Sequence, residues 1–491
     1  MAKRPRVEIR RGRERRGPRR TTPFEVVYDR VMHASRNGCF LAMCIVALAA
    51  CGGDDDTSRA DAGGTDGGGR VDGGTLPDGG IGVDASMPGT PTDCEAAPCY
   101  SVKTGAGGAG ADWANALPDL PSTLERGATY FLADGTYAAH TFEDVERGVE
   151  VITIRKATAF DHGTDVGWSD TDGDEQAFFD GSLSFARDHY LIDGAARDEA
   201  DWLDSSSYGI HASSLYIQNN NLPPGADHVT ARYCDLGGPY DQAFSPGQGE
   251  AVYLGGFDAI ITDITVSRSF LHNWSFVQCA GADGVTVEYT AFAAGWAKEA
   301  VRGQGTCRNG VLRHNLFYNA SQRDPEDPTS GTTAEIAIWD GEAGAFDNWD
   351  IYGNVIWNDR EISHCCGVIV VGGDGTSFVG APASNVHVYN NTIAGLGASA
   401  VARIDVNGGT GNEVSNNIWY DCAGRTGAAP DTASNGTVTS DPFVDYAGFD
   451  FRLASPLPGT ALPSPYDEDA FGIRRGGDGV FDRGAFEYVA P

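Results

Sequence analysis

The sequence predicts an all-β solenoid: short strands, paired in parallel, that wind as successive coils around one elongated core. Two observations predict it. The first is a polar residue recurring in an apolar frame. LRHNLFYN sets Asn315 among apolar residues, and DIYGNVIWND, VYNNTIAGL and EVSNNIWYD do the same with Asn354, Asn391 and Asn417. In each, an aliphatic residue lies three positions before the Asn and a large apolar residue two positions after. TARYCDLGG, TVSRSFLHN and TVEYTAFAA keep this frame with Cys234, Ser269 and Thr290 in the Asn place. The second observation is the spacing. Successive gaps are 35, 21, 25, 39, 37 and 26 residues, a short period lengthened in places by inserted loops.

A single coil of this size cannot bury its own apolar face, so coils must stack, at about 4.8 Å per strand. A buried Asn at the same corner of every coil then has another Asn directly above it. Donor and acceptor can pair along the stack, which satisfies an amide that would otherwise be costly to bury. Asn also tolerates the left-handed backbone that a sharp corner requires. Asn315, Asn354, Asn391 and Asn417 are therefore expected to form a structural ladder.

The N-terminal part differs in composition. Residues 1–38 are rich in Arg, and CFLAMCIVALAA, residues 39–50, is an apolar run too short to remain as a spanning helix. Residues 1–50 therefore read as a signal peptide, with Met32 as the expected translation start. The run ends in Leu48-Ala49-Ala50-Cys51, which resembles a bacterial lipobox; the resemblance implies cleavage before Cys51 and a lipid attached to its thiol. Residues 51–92 are Gly and Asp with little that is apolar, a flexible charged tether. The expected location is the outer membrane or cell surface, with the membrane as partner through the lipid alone.

Removing residues 1–50 takes away 12 Lys or Arg and 4 Asp or Glu, which leaves 23 basic and 64 acidic residues, a formal charge of −41. Such a surface opposes nucleic acid, so none is expected as a partner. It also counts against an anionic polysaccharide unless a cation bridges the two. Eight cysteines remain besides Cys51, in keeping with an oxidising compartment. Cys94 and Cys99 bracket a short loop and are expected to form a disulfide. Cys279 and Cys307 fall on neighbouring coils, either close to each other or simply small core residues, and His364-Cys365-Cys366 reads as a loop.

The β-helix is expected over residues 93–430. WANALPDLPSTLERGATYFLADGTY predicts a helical stretch over 118–126 that would cover the first coil, whose open edge invites aggregation. Residues 431–491 abandon the ladder pattern and read as an irregular capping extension. The NxI and NxF coils resemble the single-stranded right-handed parallel β-helix repeats of the pectin-lyase-like superfamily. Asp441-Pro442-Phe443, Phe451-Arg452-Leu453 and Asp482-Arg483-Gly484-Ala485-Phe486-Glu487 are similar to the C-terminal ends of secreted bacterial β-helix proteins. The resemblance, over about residues 112–488, implies the fold; the architecture carries lyases, hydrolases, epimerases and inactive proteins alike.

Candidate chemistry lies in a second strand of each coil. EAVYLGG, SFVQCAG, EAVRGQG and EIAIWDG align by their first residues, which puts Glu250, Glu299 and Glu335 on one line interrupted by Ser275. Adjacent carboxylates repel, so one must hold a proton or a cation must sit between them. Lys298, Arg302, Arg313 and His314 are the basic candidates nearby. Two readings follow. In one, Glu250, Glu299 and Glu335 bind Ca²⁺, which neutralises a uronate while Lys298 or Arg302 removes a proton for β-elimination. In the other, two carboxylates serve as acid and base in glycoside hydrolysis.

The superfamily resemblance lends precedent to the lyase reading, since some β-helix polysaccharide lyases use adjacent-coil Glu ligands for calcium and a Lys/Arg pair. This sequence departs from that pattern: Gln304 and Thr306 stand where a Lys is wanted, and strand alternation points Lys298 and Glu299 to opposite faces. Trp296, Trp339, Trp349, Trp357 and Trp419 read as core in preference to sugar platforms. The expectation is a surface β-helix protein that binds or cleaves a polysaccharide, lyase-like or hydrolase-like; the rival is a non-catalytic adhesin or matrix rod.

Overall fold

The structure, a computed structural model, describes residues 91–218, 226–238, 250–256, 260–273, 275–295, 299–321, 334–359, 367–374, 380–426 and 434–490. The signal peptide, Cys51, the tether, Trp296, Lys298 and the segment His364-Cys365-Cys366 lie outside these residues.

The chain is a parallel β-helix. A single 26-stranded sheet contains parallel pairings throughout, from Cys99–Val102 against Thr129–Leu132 to Ile418–Thr426 against Gly436–Val438. Each coil has three walls. The coil around Asn315 shows them in order: the third wall at Val301–Gln304, the first wall at Gly310–Arg313, then the ladder corner, then the second wall at Leu316–Tyr318. Inward side chains from all three meet in one core. Leu312, Phe317 and Ile336 are fully buried, and Phe292 stacks on Phe317 with ring centroids 4.4 Å apart.

The ladder forms at the predicted positions. The backbone N–H of Cys234 donates to Ser269 Oγ, that of Ser269 to Thr290 Oγ1, and that of Thr290 to Asn315 Oδ1. Asn315, Asn354, Asn391 and Asn417 continue it, each donating its backbone N–H and its Nδ2 to the next Oδ1, as far as Asn435. The second Nδ2 hydrogen of each reaches a carbonyl of the preceding coil, Val287 for Asn315 and Leu312 for Asn354. Every polar atom of a buried amide is thereby used, which is why Asn is stable in this place.

One detail differs from expectation. The left-handed residue at each corner is the one before the ladder residue: Tyr233, Arg268, Tyr289, His314, Gly353, Asn390 and Asn416 all have positive φ. The ladder Asn is thus chosen for its hydrogen bonds, and the strain falls on its neighbour, where it costs roughly 1–2 kcal/mol for a residue with a Cβ. Stacking offsets some of this cost, with Arg268 over Tyr289 at 4.9 Å and Tyr289 on His314 at 5.1 Å. Gly353 has a second reason to be Gly, since a Cβ there would lie 2.6 Å from His314 Nδ1.

A second row of left-handed residues turns the corner between the third and first walls. His228, Asp263, Asn309, Asn348 and Asn385 belong to it. Asn385 donates to Asn348 and Asn348 to Asn309, an exposed ladder beside the buried one.

At the N-terminal end the predicted helix over 118–126 is absent. Pro118 and Pro121 interrupt it, and the Leu124 N–H donates to Asp144 Oδ1 at 2.6 Å instead of to a helix carbonyl. Leu120 and Leu124 still pack on the core beside Tyr130, so the segment covers it without being helical. A three-residue 3₁₀ turn at Trp113–Asn115 precedes it. Cys94 and Cys99 are bonded, and so are Cys279 and Cys307 across two neighbouring coils.

Parallel pairing runs on to Gly436–Val438, past the expected boundary at 430. Beyond it, Phe443–Asp445 and Asp450–Leu453 form an antiparallel hairpin. This region packs along the flank of the coils. Phe443, Phe449 and Phe451 cover the outer face of the second wall at Tyr318 and Trp357, while Tyr466 packs edge-on against Tyr352 and Tyr389 of the first wall.

Candidate functional site on the third wall

The third wall is built by Ser214–Ile217, Glu250–Leu254, the first part of Ser275–Glu288, the first part of Val301–Arg313, Ile336–Asp340 and Ile369–Val371. Alternation sends Leu215, Val252, Val277, Val301 and Ile336 into the core. It sends the next position outward, and in register that row reads Tyr216, Tyr253, Gln278, Arg302, Ala337 and Val370. Tyr216, Tyr253 and Arg302 are partly exposed, with Gln278 buried between the last two. The two tyrosine rings lie 6.1 Å apart, and Gln278 Nε2 donates to Gln304 Oε1 at 3.3 Å. Among the described residues Arg302 has neither an ion-pair nor a hydrogen-bond partner, although the chain around it is strongly acidic.

The glutamates do not line up as the sequence alignment placed them. Val301 pairs with Ile336, so Glu335 falls opposite Ala300, one position out of step with Glu299. Glu335 is fully buried whereas Glu299 is partly exposed. Glu250 does share its register with Glu299, with Ser275 between them. Two coils therefore separate these carboxylates, about 10 Å of backbone at the usual strand spacing. The three glutamates do not form one line of neighbouring ligands.

The basic candidates are also divided. Arg302 is on the third wall, whereas Arg313 is on the first, with its guanidinium on Glu288 Oε2 at 2.5 Å and its Nη1 on the Tyr352 hydroxyl at 3.1 Å. His314 is a left-handed corner residue, 5% exposed, between Tyr289 and Tyr352. Burial, with Arg313 and Arg475 adding to it, pushes its imidazole down to about 3. It is neutral at any ordinary pH and sits where no substrate reaches it. Arg313 and His314 thus serve the corner and the first wall.

Trp339, Trp349, Trp357 and Trp419 are all buried, as expected. Among the described residues the partly exposed aromatic surface of the third wall comes from Tyr216 and Tyr253. Their signal in the sequence is SLYIQ and AVYLG, each with Tyr in the outward place of an alternating run.

A further polar group was not anticipated. His211, Asp235 and His272 lie on the outer face of the second wall, on Ile210–Ala212, Cys234–Gly237 and Phe270–His272. Of these strands, Ile210–Ala212 is followed after a single residue, Ser213, by the third-wall strand Ser214–Ile217.

No family model matches the chain, and no curated protein matches it. Among solved structures, the crystal structure of pectate lyase Pel9A is similar to it at 15% identity and a TM-score of 0.40, covering 80% of this chain and 96% of that one.

Proposed function

We propose that this β-helix binds a neutral polysaccharide along the outer face of its third wall, with a lipid on Cys51 holding it at the cell surface. The observation that carries the reading is Arg302, a guanidinium without a partner among the described residues, in line with Tyr216 and Tyr253 on successive coils. Strands repeat at about 4.8 Å along the stack, so an outward row presents similar groups at regular intervals, which suits a ligand that is itself a linear repeat. Tyrosine offers an apolar face with a hydroxyl at its edge, and guanidinium and amide groups supply donors and acceptors for sugar hydroxyls. The formal charge of the exported chain argues for a ligand without dense negative charge.

The test is retention of the full chain in native gels cast with a panel of neutral and acidic polysaccharides, alongside Arg302→Ala and Tyr253→Ala. Retention by a neutral glycan that weakens roughly tenfold in Arg302→Ala is the expected result. Equal retention of wild type and both variants would overturn this site, and no retention by any glycan would move the reading to a rod without a glycan site. Ca²⁺ is part of the proposal only through Glu250 or Glu299, and a Ca²⁺-dependent rise in melting temperature that Glu299→Gln removes would support it.

A further inference from the structure

His211 Nδ1 lies 2.6 Å from Asp235 Oδ2, and His272 Nε2 lies 2.5 Å from Asp235 Oδ1. One carboxylate is therefore shared by two imidazoles from three successive coils. Burial works to raise the Asp235 carboxyl, but His272 and His211 outweigh it and hold it below the usual carboxylate range. With its Nδ1 donating to Asp235, His211 keeps its lone pair on Nε2. That atom has no protein partner among the described residues and is not sealed from solvent, while the His272 side chain is completely buried. Phe178 stacks on the His211 ring at 4.3 Å and is 40% exposed, so an apolar ring stands beside the open nitrogen.

The surroundings make this arrangement unusual for its place. The outer face of the second wall is mostly apolar beyond this group: after Asp235 its register row continues with Phe270, Ala291, Leu316, Val355, Thr392 and Ile418. In the later coils four apolar residues and one hydroxyl after Phe270 fill this row, and none of them carries a titratable group. Ser214–Ile217 follows His211 in the chain, and Cys234–Gly237 touches both that strand and Glu250–Leu254. His211 and Tyr216 thus lie on adjoining walls, on strands separated by the single residue Ser213.

We propose that His211 is a general base, positioned by Asp235 and through it by His272, that hydrolyses O-acyl groups on the neutral glycan bound along the third wall. The inference rests on that binding reading for its substrate. A water oxygen attacks the acyl carbonyl carbon as its proton passes to His211 Nε2. The tetrahedral adduct then breaks the bond between the acyl carbon and the sugar oxygen. The proton on Nε2 goes to the departing oxygen, which leaves a carboxylic acid and a free sugar hydroxyl. Ester hydrolysis suits the group because its one carboxylate is already committed to two imidazoles, whereas glycoside cleavage needs two free carboxyl groups.

The experiment measures acetate released from acetylated glucomannan by the full chain and by His211→Gln, His211→Gly and Asp235→Asn. Expected are release by wild type, a loss of about 10²–10⁴-fold in His211→Gln, and partial recovery of His211→Gly on adding imidazole. Asp235→Asn should lower kcat with KM little changed, as a positioning residue would. Retention of each variant on the same glycan is measured in parallel, which separates the two readings. Retention without acetate release would overturn the base and leave binding intact. Release that is indifferent to His211, or appearance of unsaturated sugar in place of acetate, would also overturn it.

Discussion

Asn391 Oδ1 accepts both the backbone N–H and the Nδ2 of Asn354, at 3.1 and 2.9 Å. The same pair of bonds joins Asn315 to Asn354. Replacing Asn354 by Leu would strip the acceptor from two buried donors of Asn315 and the donor from the Leu312 carbonyl. The expected cost is roughly 1–3 kcal/mol. Chemical denaturation of Asn354→Leu measures it, and a neutral result would mean that the amides gain nothing from each other.

The ladder was legible because its frame is fixed by packing: an inward residue must stand three before and two after the Asn, whatever the loops do. The left-handed position before it was not, because Tyr, Arg, His, Gly and Asn all occur there and no single chemistry marks it. A second regularity stands in the sequence beside it. Asn309, Asn348 and Asn385 each precede a ladder Asn by six residues, and these form the exposed ladder. The glutamate alignment failed for an instructive reason. It matched Glu299 to Glu335 by identity, whereas matching the inward residues Val301 and Ile336 would have given the observed register. The His211–Asp235–His272 group joins residues on three coils, and only the coil stacking brings them together.

The disulfide between Cys279 and Cys307 closes a segment with a sequence separation of 28, inside the core between two coils. By loop-closure entropy it should add about 3–4 kcal/mol. Converting both to Ala should lower stability by that order, as read from the denaturant midpoint. Ellman's reagent on the unfolded wild-type chain would count these two among the protected thiols.

His314 gives the protein a definite acid response. Its folded pKa of about 3 lies below the ordinary value, so the unfolded chain binds the extra proton first. The stability is fully present above the ordinary imidazole pKa, near 6.5, and is lost as pH falls from there toward about 3. In that window the slope from this residue is about 1.4 kcal/mol per pH unit. His314→Asn keeps a residue that tolerates the left-handed corner and removes the proton site. The difference in unfolding free energy between wild type and variant should therefore shrink, or change sign, as pH falls from 7 to 5. A pH-independent difference would mean that His314 titrates alike in both states.

Phe451 tests how the C-terminal flank is held. It is 5% exposed and lies with its ring at 5.3 Å from Phe443 and 6.3 Å from Trp357, so it joins the hairpin to the outer face of the second wall. The ladder and the inner core do not involve it. Phe451→Ala should cost roughly 3 kcal/mol by cavity formation, and that loss should fall on docking of the extension and not on the coils. Limited proteolysis is the suitable measurement: the variant should be cut within residues 440–460 at protease levels that spare wild type, while a large fragment containing the ladder persists. Simultaneous loss of both parts would show instead that the flank and the coils unfold as one cooperative unit.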